Sequence, residues 1–193
     1  MLDLDYLFSK YGRPSGVIHI CAQFLYVRPF YLKWNLHNTI WIEPNPFFYQ
    51  LNLPSISSSQ KEKIFNIAIS KNNEQIIFDV NGDTSIQTSI GSKKLTDMFE
   101  ENSINKEEYN FLHIGAQIST NYLEGCEDEL SKFKFISMEV TKNLGNNFSD
   151  LKFVDNFLKK FRFKRVEFAI NNNIGQAFYV KKRTYNKSKI VNI

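Results

Sequence analysis

The feature that most constrains this chain is an alternation. Short apolar runs rich in β-branched residues, VIHICA (17–22), TIWIE (39–43), NFLHIGA (110–116) and FKFISMEV (133–140), are separated by stretches with helical apolar spacing. Runs this short and this uniformly apolar fit strands buried on both faces. Strands that alternate with helices predict an α/β protein: a mostly parallel sheet with helices on both faces. In such a sheet, ligands bind beyond the carboxyl ends of the strands, where strand order reverses.

The connecting segments fit this plan. LDLDYLFSKYG sets Leu4, Leu7, Phe8 and Tyr11 at helical spacing and stops at Gly12. VRPFYLKWNL, NPFFYQLNL (45–53), KLTDMFEENS, residues 119–130 and DLKFVDNFLKKF also read as helices, and LPSISSSQ reads as a loop. KIFNIAIS (63–70) and EQIIFDV (74–80) read as strands joined in hairpin fashion by KNNE, with a polar stretch at 81–92 after them. RVEFAI and QAFYVKK flank the turn signal NNNIG and predict an antiparallel hairpin at the end of the sheet.

Two of the runs end almost identically, in HICAQ (19–23) and HIGAQ (113–117). If these strands are neighbours at the reversal point, Gln23 and Gln117 face each other across the crevice. His19 and His113 then lie two residues deeper on equivalent pleats.

Composition narrows the function classes. A length of 193 residues suits one domain, here residues 1–182 with a helix inside 1–14, followed by a basic tail at 183–193. No apolar run approaches a membrane span, and MLDLDYLFSK carries two aspartates where a leader would carry positive charge. A soluble, cytoplasmic protein without a membrane role is the expectation. Two cysteines and three histidines give no metal-ligand spacing, so no metal site is expected. Charge is uneven: Lys181, Lys182, Arg183, Lys187 and Lys189 carry +5 with no acid between 181 and 193, while the whole chain carries +4. KKFRFKR (159–165) is a second basic run. Basic runs with interleaved aromatics can hold nucleic acid, provided that folding brings them to one surface; otherwise they are a solvated helix end and a frayed terminus.

The order VIHICAQ, RPFY, TIWIEPNPFFYQL, FNIAIS, NGDTSIQTSI, YNFLHIGAQ, FISMEV and IGQAFYVKK resembles FkbM-type S-adenosylmethionine-dependent methyltransferases from about Gly16 to Lys182. The resemblance implies a Rossmann-like methyltransferase fold with a seven-stranded sheet. It also implies S-adenosylmethionine as cofactor and hydroxyl groups of sugars or other natural products as acceptors. Glu43, in Trp41-Ile42-Glu43-Pro44-Asn45-Pro46, matches the family's acid-Pro-Asn-Pro and would accept the ribose hydroxyls. Cys21, Ala22, Gln23 and Phe24 take the place of the loop after the first strand, Asn66 and Ala68 that of the segment flanking adenine, and Gln117 that of the fourth-strand glutamine. Several positions depart from the pattern. Cys21 replaces a glycine, Gly115 an aspartate, Ile118 a glycine, Thr120 a glutamate and Gln176 an aspartate, whereas Glu139 of MEV is retained.

Hydroxyl methylation needs an aligned acceptor and usually a base. Glu139 and His113 are the candidate catalytic residues, with His19 behind them; a histidine in a buried strand is more often a hydrogen-bonded core residue. Three functions compete. One is an S-adenosylmethionine-dependent O-methyltransferase acting on a small-molecule or glycan acceptor. The second is a methyltransferase-fold protein without chemistry that serves a protein partner, its crevice closed by Phe24, Tyr26 and Ile118. The third, placed last, is a nucleic-acid binder.

Overall fold

The computed structural model describes residues 2–80, 83–115, 120–141, 150–171 and 173–184. Helix α1 (Leu4–Tyr11) is capped by the Asp3 carboxylate at its start and ended by Gly12, whose φ of 99° no other residue adopts readily. The chain then lays down β1 (Val17–Ile20), α2 (Arg28–Lys33), β2 (Thr39–Ile42), α3 (Pro46–Ser57), β3 (Glu62–Phe65) and β4 (Ala68–Ile69). A hairpin of β5 (Gln75–Val80) and β6 (Asp83–Lys93) follows, then α4 (Leu95–Glu101), β7 (Phe111–Ile114), α5 (Thr120–Gly125), β8 (Phe135–Thr141), α6 (Leu151–Lys160), β9 (Phe163–Asn171) and β10 (Ile174–Lys181). Among the described residues, no helix is long and apolar enough to cross a membrane.

Seven strands form one sheet in the order β3-β2-β1-β7-β8-β10-β9. The first five run parallel, and β10 and β9 are antiparallel, as the closing hairpin predicts. Because pleats alternate, successive positions of each strand feed different cores. Ile18, Ile20, Leu112, Ile114, Ile136 and Met138 point to a mainly aliphatic core under α4, α5 and α6. Val17, Trp41, Phe111, Phe135 and Phe178 point to an aromatic core under α1, α2 and α3. Each such side chain, fully buried, contributes about 1.5–3 kcal/mol.

Three expectations about local structure are corrected. Helix α3 runs through Pro54 to Ser57, a turn further than the 45–53 expected. Proline's fixed φ is compatible with a helix, and the loss of one main-chain bond is offset by Ile56, which is buried in the aromatic core. The expected 63–70 strand breaks at Asn66-Ile67 into β3 and β4. β5 does not pair with β4; both pair with β6, which occupies most of the supposed polar loop at 81–92.

Candidate functional site

Strand order reverses between β1 and β7, which are parallel neighbours with His19 opposite His113 and Ile20 opposite Ile114. The two near-identical strand ends are thus one rung of one sheet. Beyond them four strand ends are tied by three main-chain bonds: Cys21 N donates to Ile42 O at 2.8 Å, Gly115 N to Ile20 O at 2.9 Å and Glu43 N to Phe65 O at 3.0 Å. At Gly115, where the resemblance has aspartate, an added Cβ would lie 2.9 Å from Cys21 O and 3.2 Å from His19 Nε2. The loss of that acid goes with a loop packed too close to admit it.

The loop from β1 to α2 has an unusual backbone. Cys21, Gln23 and Leu25 have φ of 62°, 45° and 54°. Left-handed conformations suit glycine, which the family pattern has at the first of these positions, yet none of these residues is glycine. Each carries strain on the order of 1 kcal/mol that surrounding contacts must offset. Glu43 makes one of those contacts and ties the loop to the start of α3. Its Oε2 accepts from Gln23 N at 2.7 Å and its Oε1 from Asn45 N at 2.8 Å. The Asn52 amide donates to Gln23 O. Glu43 is only 2 % exposed. Burial raises its carboxyl above the ordinary value, and the Gln23 and Asn45 N–H groups hold it down against that rise.

The other predicted positions divide. Asn66 lies at the crevice edge, its Nδ2 donating to Glu43 O (2.8 Å) and Pro44 O (3.2 Å), so it ties β2 to β3. Ala22 turns into the aromatic core, and Ala68 is fully buried in β4. Phe24 is exposed and stands edge-on to Phe48 at 4.7 Å; Tyr26 is 76 % exposed. Gln117, with Ile118, lies outside the described residues. Glu139 stands near the end of β8 beside Gln176 of β10, half-buried, and burial raises its pKa. Two contributors had no signal in the sequence. Tyr122 of α5 lies beside the Cys21 thiol, which burial pushes up, and Asn52 reaches the loop from α3.

His113 is placed deep. It is buried, its ring stacks on His19 at 4.3 Å, and its Nδ1 lies 2.6 Å from the Tyr31 hydroxyl, which also meets His19 Nδ1 at 3.2 Å. One hydroxyl can donate to one ring and accept from the other when both are neutral. Burial lowers His113 to about 4 and His19 well below its ordinary value. The unfolded chain, with histidine at pKa ~6.5, binds more protons between those values. Stability contributed by the neutral pair is therefore full above pH ~6.5 and falls as pH drops toward ~4. Urea midpoints across this window are expected to fall by the equivalent of about 3 kcal/mol from His113 alone, with His19 adding to the loss.

No family model and no curated protein matches the sequence. Solved structures do match. A SAM dependent methyltransferase from Aquifex aeolicus aligns over 92 % of this chain and 88 % of its own at 9 % identity and TM-score 0.54. The precorrin-6y C5,15-methyltransferase of Geobacter metallireducens aligns over 86 % of this chain and 80 % of its own at 13 % identity and TM-score 0.53. M. capricolum TrmK, in complex with S-adenosyl-homocysteine, aligns over 86 % of this chain and 62 % of its own at 10 % identity and TM-score 0.53. At these identities the likeness is one of fold. The chain has the Rossmann-like α/β fold of these methyltransferases.

Proposed function

We propose that this protein binds S-adenosylmethionine in the crevice beyond β1 and β2 and methylates a hydroxyl of a small-molecule or glycan acceptor, in the manner of the FkbM-type enzymes it resembles. The observation that carries the reading is the union of Glu43 with the loop at 21–25: a strand-end carboxylate hydrogen-bonded to a loop that holds three left-handed residues, at the reversal point of the sheet. The residues fit the group. Each Glu43 oxygen accepts one main-chain N–H and keeps a further lone-pair direction for a ribose hydroxyl. The neighbours of similar fold include one solved with S-adenosyl-homocysteine.

When bound, S-adenosylmethionine supplies a sulfonium-activated methyl group. Glu139 takes the proton of the acceptor hydroxyl; its raised pKa brings it closer to the range in which a carboxylate is an effective base. Gln176, its rung partner, accepts from Leu2 N at 3.3 Å through its amide oxygen, and its NH2 group would orient the acceptor. His113 has no part in this scheme, being held neutral and engaged with Tyr31 in the core.

A second reading has its own support. The buried Cys21 side chain, beside Tyr122, occupies space that glycine would leave, which suits a protein that kept the fold and lost the reaction. Calorimetry with the cofactor and transfer of labelled methyl to a panel of hydroxylated acceptors separate the two. Binding is expected in both the parent and Glu139→Gln, with transfer slowed about 10²-fold or more in the variant. Absence of binding at millimolar cofactor sinks the first reading.

A further inference from the structure

The two basic runs that are separate in sequence meet at the amino end of the parallel strands. Main-chain bonds fix the meeting: Lys181 N donates to Lys134 O at 2.9 Å, and Lys182 N to Arg162 O at 2.8 Å. Lys181 also shares a rung with Phe163. With strands ~4.8 Å apart and residues ~3.4 Å apart, the Cα atoms of Lys134, Arg162, Lys181 and Lys182 lie within roughly 12 Å of one another. Arg13, Lys134 and Arg183 line a groove of about 350 Å³ beside them.

This cluster is cationic and uncompensated. Arg13, Lys134, Arg162, Lys182 and Arg183 are exposed, and among the described residues none of them forms an ion pair. Two acids of the adjoining elements are engaged elsewhere: Asp155 with Arg165, and Glu129 with Lys106 and Lys132. The Lys181 ammonium is held below its ordinary pKa, first by burial and then by the Arg162 charge, which registers the positive field. Lys187 and Lys189 follow in the sequence. The nearby large apolar side chains, Tyr11, Phe135 and Phe163, are buried, so the surface offers cations without the exposed apolar anchors that a lipid interface uses.

We propose that this end of the sheet binds the phosphodiester backbone of a nucleic acid. The surface is independent of the methyl-transfer reading. It lies at the opposite end of β8 from Glu139, and a seven-residue strand spans roughly 20 Å. Contact with phosphates positions a strand without reading its sequence, so binding is expected to be tolerant of sequence and steep in salt.

The test uses the full chain with a labelled 20-nucleotide single-stranded RNA, and with single- and double-stranded DNA of the same length. With about five phosphate contacts, log affinity for the single strand should fall with log salt at a slope near −3.5, roughly a hundredfold between 50 and 200 mM. Lys134→Gln/Arg162→Gln/Lys182→Gln should weaken binding at least tenfold and flatten that slope by about 2. Lys61→Gln/Lys63→Gln/Lys71→Gln removes the same charge from other exposed positions and should change affinity less than twofold. Circular dichroism and thermal melting check that both variants fold. No binding to any of the nucleic acids at 50 mM salt overturns the proposal, as does equal weakening in the two triple variants. Tighter binding to polyglutamate or to phosphatidylserine vesicles than to nucleic acid overturns it as well.

Discussion

Glu43→Ala is expected to abolish S-adenosylmethionine binding, with affinity falling at least a hundredfold in calorimetry. The carboxylate does two jobs that no other described group duplicates. It is the group proposed to accept the ribose hydroxyls, and it accepts the Gln23 and Asn45 N–H groups. Without it the strained loop at Cys21, Gln23 and Leu25 loses its charged anchor, at a cost of about 1–3 kcal/mol. Glu43→Gln is the more discriminating change. A glutamine keeps the volume but has one acceptor oxygen, so its amide NH2 must face one of the two main-chain donors. Partial retention of stability with complete loss of binding is the expected pattern. Undiminished cofactor affinity in both variants would place the ribose site elsewhere.

Arg28→Met is expected to be the most destabilising single change, by about 3–5 kcal/mol, read from urea or thermal unfolding. Arg28 begins α2 and holds Glu62 at the start of β3 through Nε (3.1 and 3.2 Å) and Nη2 (2.8 Å). Trp41 Nε1 donates to the same carboxylate at 3.0 Å. The Glu62 side chain is only 4 % exposed, so removing the guanidinium leaves a buried charge with a single indole to neutralise it. A loss of that size is a large part of the roughly 5–15 kcal/mol that ordinarily separates folded from unfolded chains. Arg28→Met/Glu62→Leu should recover most of the loss, because the pair then leaves no orphan charge. A single variant within about 1 kcal/mol of the parent would show the bridge to be ornamental.

The sheet was legible because buried parallel strands announce themselves as unbroken apolar runs, and the His19 and His113 rung because two such runs end alike. What escaped was decided by contacts between distant residues. Whether β5 pairs with β4 or β6 depends on registers that short polar segments do not encode. Asn52 and Tyr122 reach the crevice only because α3 and α5 pack beside it, and neither stands in a motif. His113 reads as a titratable strand-end group; its burial against Tyr31 follows from α2 docking over the same face. The basic runs illustrate the same point. Arg162 and Lys182 are remote from each other along the chain, and the β9–β10 hairpin joins them by a main-chain bond.

The division of the interior into two unlike halves has a spectroscopic consequence. Both tryptophans, Trp34 and Trp41, belong to the side of the sheet that carries α1, α2 and α3. The aliphatic side holds tyrosines but no tryptophan. Indole emission therefore watches only one half of the molecule. An opening of α4, α5 or α6 that spares the opposite layer would be dark to it and visible to far-ultraviolet dichroism, so disagreement between the two signals would identify which half lets go first.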